Sequence, residues 1–158
     1  MIKSTTFLCL LCFWIITVTT TIAQVIVPDT VVRAHRHLHP SNPNPVWKQT
    51  SNGYFKAEFY DDRRVIYVYY KETGEWYETK QEIFEQDLPP PIKRVLQLKF
   101  IPKYEFNDAT LITSPKGVTH YEIEMERAES ELSDELLILR IKKDGTIIGK
   151  KTKKDEAE

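Results

Sequence analysis

The sequence predicts an α+β fold: two short helices on one face of a curved, largely antiparallel sheet, built as a helix followed by a β-meander, twice. Three observations lead there. Segments of strict apolar/polar alternation, such as YFKAEFY at Tyr54–Tyr60 and THYEIEM at Thr119–Met125, are separated by short polar or glycine turns. Two helical patterns each follow a proline, at Pro28 and at Pro89–Pro91. Finally, Ile66, Val68, Tyr70 and Gly74 align with Leu137, Leu139, Ile141 and Gly145 at a constant offset of 71 residues. Phe55, Ala57 and Phe59 align with Tyr121, Ile123 and Met125 at an offset of 66, and the five-residue difference falls in the polar stretch ERAESELSD, where an insertion disturbs no core.

The elements follow in order. Lys3, the apolar run Phe7–Val18 and the small-residue stretch ending at Ala23 have the layout of a secretory signal, assigned to residues 1–23. That run of 12 residues is short for about 30 Å of hydrocarbon, so no stable membrane span is expected after cleavage. Both cysteines, Cys9 and Cys12, fall inside it, and neither follows the small residues of a lipoprotein cleavage box. The mature chain would therefore have neither a disulfide nor a thiolate nucleophile, and its core must hold it together.

Beyond the signal, PDTVVRAHRHLHP reads as a helix carrying Val31, Ala34, His35 and Leu38 at helical spacing, stopped by PSNPNP. The strand Tyr54–Tyr60, the turn Asp61–Arg64, the strand Val65–Tyr70 and the turn KETG before EWYET form the first meander. LPPP opens a second helix with Ile92, Val95, Leu96 and Phe100 on its apolar stripe. NDATLIT, THYEIEME, ELLILRI and a last short strand after Lys143–Asp144–Gly145 form the second meander. The predicted organisation is a domain over 24–149, with half-repeats of about 28–87 and 88–149, and a frayed charged tail over 150–158. A half of about 60 residues is marginal alone, so one joint core or two tightly packed halves is expected.

These residues carry a family resemblance. The sequence GYFKAEFYDDRRVIYVYYKETGEW, then DLPPPIKRVLQLKF, THYEIEM and LLILRIKKDGTII, resembles the PepSY-like proteins, whose fold is related to that of the β-lactamase-inhibitor protein. The order of a proline-opened helix, Trp, tyrosine-rich hairpin, GxW, second proline-opened helix and final hairpin ending in DG corresponds here to Pro28, Trp47, Tyr54–Tyr70, Gly74–Glu75–Trp76, Leu88–Pro89, Tyr121 and Asp144–Gly145. The resemblance spans roughly residues 28–149 and implies a secreted or periplasmic protein engaged in inhibition or interaction at the cell envelope. The histidine- and proline-rich stretch before Trp47 and the acidic hairpin insertion depart from the family pattern.

The expected function is non-enzymatic protein or peptide binding. If Ile66, Val68 and Tyr70 face the helices, then Val65, Tyr67 and Tyr69 point the other way, as do Leu136, Ile138 and Arg140 in the second half. Apolar and aromatic residues on a sheet face free of helices suit a partner surface, with self-association and ordinary cross-strand packing as competing readings. Trp47 and Trp76 read as structural anchors. The alternative function is a small ligand-binding protein or envelope enzyme with a hidden pocket. A net charge of -1 and a pI near 6.4 do not suit a nucleic-acid binder.

No cofactor or metal is expected. His35 and His39 share a helical face as i and i+4 while His37 points elsewhere, but no third ligand or HExxH pattern accompanies them, and solvated histidines are the expectation. No GxSxG or phosphate-loop pattern occurs. Glu122, Glu124 and Glu126 alternate onto one strand face as solubilising charges rather than a paired-carboxylate site.

Overall fold

The computed structural model describes residues 25–128 and 135–154. The predicted signal, most of the acidic hairpin and the last four residues lie outside them. The chain forms α1 (Asp29–Leu38), β1 (Val46–Gln49), β2 (Phe55–Asp61), β3 (Arg64–Tyr70), β4 (Trp76–Glu82), a 3-10 turn (Glu85–Asp87), α2 (Pro90–Lys99), β5 (Tyr104–Thr113), β6 (Thr119–Arg127), β7 (Glu135–Ile141) and β8 (Ile147–Lys154). The described strands make one eight-stranded sheet in chain order, and every neighbouring pair is antiparallel. The expected architecture, a helix followed by a β-meander, twice, is the one observed; β1, absent from the predicted first meander, gives it a fourth strand.

Register decides which side chains share a face. Ile66 stands opposite Gln81, Gln81 opposite Leu111, Leu111 opposite Tyr121, and Tyr121 opposite Ile141. This row crosses from one half to the other without changing sides, so both helices pack on the same inner face. Val31 of α1 is buried with Phe55, Ala57, Phe59, Ile66, Val68 and Tyr70, and Trp47 and Trp76 pack at the margin. In the second cluster Ile92, Leu96 and Phe100 bury against β6 and β7, with Ile83 and Leu88 closing its side. Among the described residues, both clusters and their partly buried neighbours run from Val25 to Ile147.

The helices have ten residues each and need this packing, because isolated helices of such length are marginal in water. Their ends are built alike. Val31 N donates to Pro28 O at 3.0 Å and Ile92 N to Pro89 O at 2.9 Å; His39 N closes α1 on His35 O and Phe100 N closes α2 on Leu96 O. Proline costs nothing at these starts, where its missing N–H would have had no intrahelical acceptor.

The two glycine turns lock each helix to its sheet. Gly74 N bonds Lys71 O and Gly145 N bonds Lys142 O, both at 2.9 Å, with φ of +87° and +88°. A Cβ on Gly74 would lie 2.8 Å from Thr30 O in the first turn of α1, and one on Gly145 would lie 3.0 Å from Pro91 O in the first turn of α2. Glycine is needed twice over, for the left-handed backbone and for the close approach.

Two boundaries differ from expectation. β5 begins at Tyr104, three residues before the predicted strand, because the buried Tyr104 pairs with Arg127 and Phe106 with Met125. The charged tail expected from residue 150 is strand through Lys154, since Lys150, Lys151, Thr152, Lys153 and Lys154 continue in register along β7. Lysines suit an outermost strand, where charge discourages edge-to-edge association.

The duplicated clamp makes a direct prediction. Gly74→Ala and Gly145→Ala should each lower unfolding free energy by about 1–3 kcal/mol. Gly53→Ala, where φ is +82° but no atom lies within 4 Å of the added methyl, should cost less. Equal losses at all three positions in denaturant titration would mean that only the backbone conformation matters and that the helix contacts contribute nothing.

Candidate binding face and the buried histidine

Among the described residues, no helix lies on the outer face of the sheet. Its rows follow from the same register: Tyr67 opposes Lys80, Lys80 opposes Ile112 and Ile112 opposes His120; Glu82 opposes Thr110, Thr110 opposes Glu122 and Glu122 opposes Arg140. Val65, Tyr67 and Tyr69 are half-buried and lie on this face, as predicted. So do Leu136, Ile138 and Arg140. The two trios, however, are separated by β4, β5 and β6, or about 19 Å at the usual strand spacing. They do not form one patch.

The first-half patch is larger than the sequence reading proposed. Tyr60 is 68% exposed on the same side of β2 as Lys56 and Glu58. The β3–β4 register shifts so that Tyr70 opposes Trp76 and Tyr69 opposes Glu78, leaving Tyr77 between them as the extra residue of a bulge. Tyr77 stacks on Tyr54 with centroids 4.4 Å apart and planes 25° from parallel. Five of the eight tyrosines, Tyr54, Tyr60, Tyr67, Tyr69 and Tyr77, therefore line the outer side of β2–β4. Tyr60 and Tyr54 were legible from their alternation with Phe59 and Phe55. Tyr77 was not, because the bulge breaks the alternation.

Charges are interleaved with these rings. Lys56 Nζ lies 4.6 Å above the Tyr67 ring and Lys80 Nζ 5.6 Å above Tyr69. Lys48 pairs with Glu58 at 3.0 Å, Lys56 with the same carboxylate at 3.7 Å, and Lys80 with Glu78 at 3.5 Å. Val65, Tyr67, Tyr69, Lys80, Glu82, Asp108 and Thr110 line a shallow concavity of about 360 Å³. Burial pushes the Tyr67 and Tyr69 phenols above their ordinary pKa, so both hydroxyls stay protonated and can donate and accept hydrogen bonds.

The second-half trio has a different character. Ile138, expected at the surface, is buried at 9% exposure, standing between Glu124 on β6 and Lys151 on β7's other neighbour. The Arg140 side chain lies across Gly149, whose absent Cβ would be 3.3 Å from Arg140 Nε. Charged side chains with long aliphatic stems cover the isoleucine. Arg140 itself is exposed and Leu136 half-buried.

The histidines also differ from expectation. His35 is fully buried, not solvated. Its Nε2 lies 2.8 Å from Asn42 O, a group that only accepts, so Nε2 carries the proton. Nδ1 then accepts from the Tyr70 hydroxyl at 3.0 Å. This neutral imidazole ties α1, β3 and the proline-rich linker together, and His39 stacks on it at 5.1 Å. Both nitrogens are committed, so His35 can ligate a metal only by breaking this network. His37 is exposed. Among the described residues, no three His, Cys, Asp or Glu side chains are grouped to hold a metal ion. Nor is any described helix long and apolar enough to cross a membrane.

With this geometry in place, comparison with known proteins bears on the fold. No family model matches the chain, and no curated protein does. Solved structures do match. A DUF2874 family protein from Bacteroides ovatus superposes with a TM-score of 0.72 at 17% identity, covering 81% of this chain and 89% of its own. A BLIP-like protein from Bacteroides fragilis gives 0.69 at 18% identity, covering 85% and 94%. A Bacteroides eggerthii protein, provisionally described as periplasmic, gives 0.72 at 14% identity, covering 81% and 90%. The chain has the BLIP-like fold. Agreement over most of both chains matches the architecture that the sequence resemblance implied.

The buried histidine sets the acid side of stability. Burial, the largest cause, holds the His35 pKa below its ordinary value; the Asn42 hydrogen bond opposes this and His39 adds to it. Burial also lowers His39, against the opposing charge of Asp61, and His120. The unfolded chain therefore binds more protons than the folded one as pH falls below about 6.5, and stability rises with pH through that window. Tm should drop between pH 7 and pH 5.5, and His35→Gln should flatten the dependence while costing about 1–3 kcal/mol at pH 7. A wild-type Tm that does not change over this range would contradict the neutral-histidine assignment.

Proposed function

We propose that the chain is an exported, non-enzymatic module that binds a protein or peptide through the outer face of β2–β4. The observation that carries this reading is the array of Tyr54, Tyr60, Tyr67, Tyr69 and Tyr77 on a sheet face that no helix among the described residues covers. Tyrosine supplies rigid, amphipathic contact area at low entropic cost and is enriched among residues that dominate interface energy. The interleaved Lys48, Lys56, Lys80, Glu58 and Glu78 supply both signs of charge for orienting a partner. The shallow concavity over Tyr67 and Tyr69 suits a projecting side chain or strand better than an enclosed small molecule. Leu136, Ile138 and Arg140 belong to a separate, charged margin of that face.

Export is supported by the secretory layout of residues 1–23, and the provisional periplasmic description of the Bacteroides eggerthii neighbour points the same way. The partner is accordingly an envelope or extracellular protein or peptide, and no nucleic acid is involved.

Immobilised chain beginning at Gln24 should capture a defined envelope protein from a cell extract. Tyr67→Ala/Tyr69→Ala should lose it by at least tenfold in retained amount. Because these side chains are half-buried, Tyr60→Ala, at an exposed position, serves as a second variant and should weaken capture without lowering Tm. Capture unchanged in both variants would remove this surface from consideration. Recovery of the chain itself as the main captured species, with a dimer in sedimentation, would assign the face to self-association.

A further inference from the structure

The helix layer is basic, and the strip of outer face over β4–β6 is acidic. The helices contain Arg33, Arg36, Lys93, Arg94 and Lys99 against a single acid, Asp29. The outer face over β4–β6 instead gathers Glu78, Glu82, Asp108, Glu122, Glu124 and Glu126 around Lys80, while the flanking strands of that face add Lys56, Arg140, Lys151 and Lys153. A net charge of -1 conceals this polarity. Arg33, Arg36, Arg94 and Lys99 are exposed, and among the described residues none is in an ion pair.

Apolar side chains project among these cations. On α2, Ile92, Leu96 and Phe100 face the core, while Leu98 on the opposite side is 73% exposed, four residues after Arg94. Ile101, just past the end of α2, is 41% exposed, and Leu38, on the same side of α1 as Val31 and His35, is 46% exposed at that helix's end. Of the nearby acids, Glu75 is held by Lys71 at 2.8 Å and Asp87 by Arg64 at 2.7 Å, while Glu85 lines a groove with Lys93, Gln97 and Ile101.

We propose that the helix layer docks onto an anionic lipid bilayer through Arg33, Arg36, Arg94, Leu98, Lys99 and Ile101. The chemistry is that of a helix lying in the membrane interface: projecting apolar residues enter the headgroup region while surrounding cations meet anionic lipid. The cations are spread over two helices that share one side of a sheet, which suits a laterally uniform anionic surface. A protein partner would instead need carboxylates placed opposite each cation. Docking in this way turns the tyrosine face away from the bilayer, toward soluble partners.

The test is co-sedimentation of the chain beginning at Gln24 with vesicles of phosphatidylcholine alone or with one quarter phosphatidylglycerol, circular dichroism confirming that each variant is folded. Binding should be at least tenfold stronger to the anionic vesicles and should fall at least tenfold in 0.5 M NaCl. Arg33→Glu/Arg36→Glu/Arg94→Glu/Lys99→Glu should abolish it, and Leu98→Ser should weaken it several-fold. No binding, equal binding to neutral vesicles, or wild-type binding by the charge-reversed variant would overturn the proposal. So would unchanged vesicle binding by Leu98→Ser together with equally tight binding to polyglutamate, which would reassign the face to an acidic protein.

Discussion

The pairing of β4 with β5 is the constraint on which the rest of the molecule depends. It spans only Thr79 to Glu82 against Thr110 to Thr113, extended by the bond from Ile83 N to Ala109 O at 2.8 Å. Without it the chain would be two meanders, each with a ten-residue helix and too little buried surface for comfortable stability. With it, one inner face carries both helices, and one outer face runs from β1 to β8. The acidic strip on β4–β6, the tyrosines on β2–β4 and the basic helix layer all take their relative positions from that short seam.

The two halves fill equivalent places with different chemistry. His35 in α1 stands where Leu96 stands in α2, since each accepts the amide that closes its helix. Tyr70 matches Ile141, each preceding its glycine turn by the same interval. An apolar pair in the second half is thus a hydrogen-bonded pair in the first, where it also holds the linker through Asn42. Such a network helps specify a unique core while it is fully satisfied, and is costly once one member gains a proton. Packing is exchanged as well: Trp47 opposes Ala57 in the first half, whereas Ala109 opposes Ile123 in the second, so bulk moves across the strand pair.

Much of this was legible because it rests on local rules. Alternation in YFKAEFY and THYEIEM separates inner from outer residues, prolines mark both helix starts, and Gly74 and Gly145 mark the turns beneath them. The illegible parts depend on partners distant in sequence. Nothing near His35 says that Tyr70 and Asn42 will satisfy both its nitrogens, and a histidine outside such a network belongs in water. Ile138 reads as surface until Lys151 and the Arg140 stem are brought over it. The separation of the tyrosines from Leu136 and Arg140 depends on strand order, which alternation does not encode. Tyr77 joins the outer face only because a bulge displaces it.

Hydrogen exchange across the seam tests the single-sheet arrangement most directly. The Ile83–Ala109 bond sets the pairing phase, so the amides of Thr79, Gln81 and Ile83 point at β5, and those of Ala109, Leu111 and Thr113 point at β4. A continuous sheet predicts that these six amides are protected to the same degree as their neighbours within β3–β4 and β5–β6, and are lost with them in global unfolding. If the six exchange like free edge amides while the rest stay protected, the halves are separate, and the shared inner and outer faces do not exist.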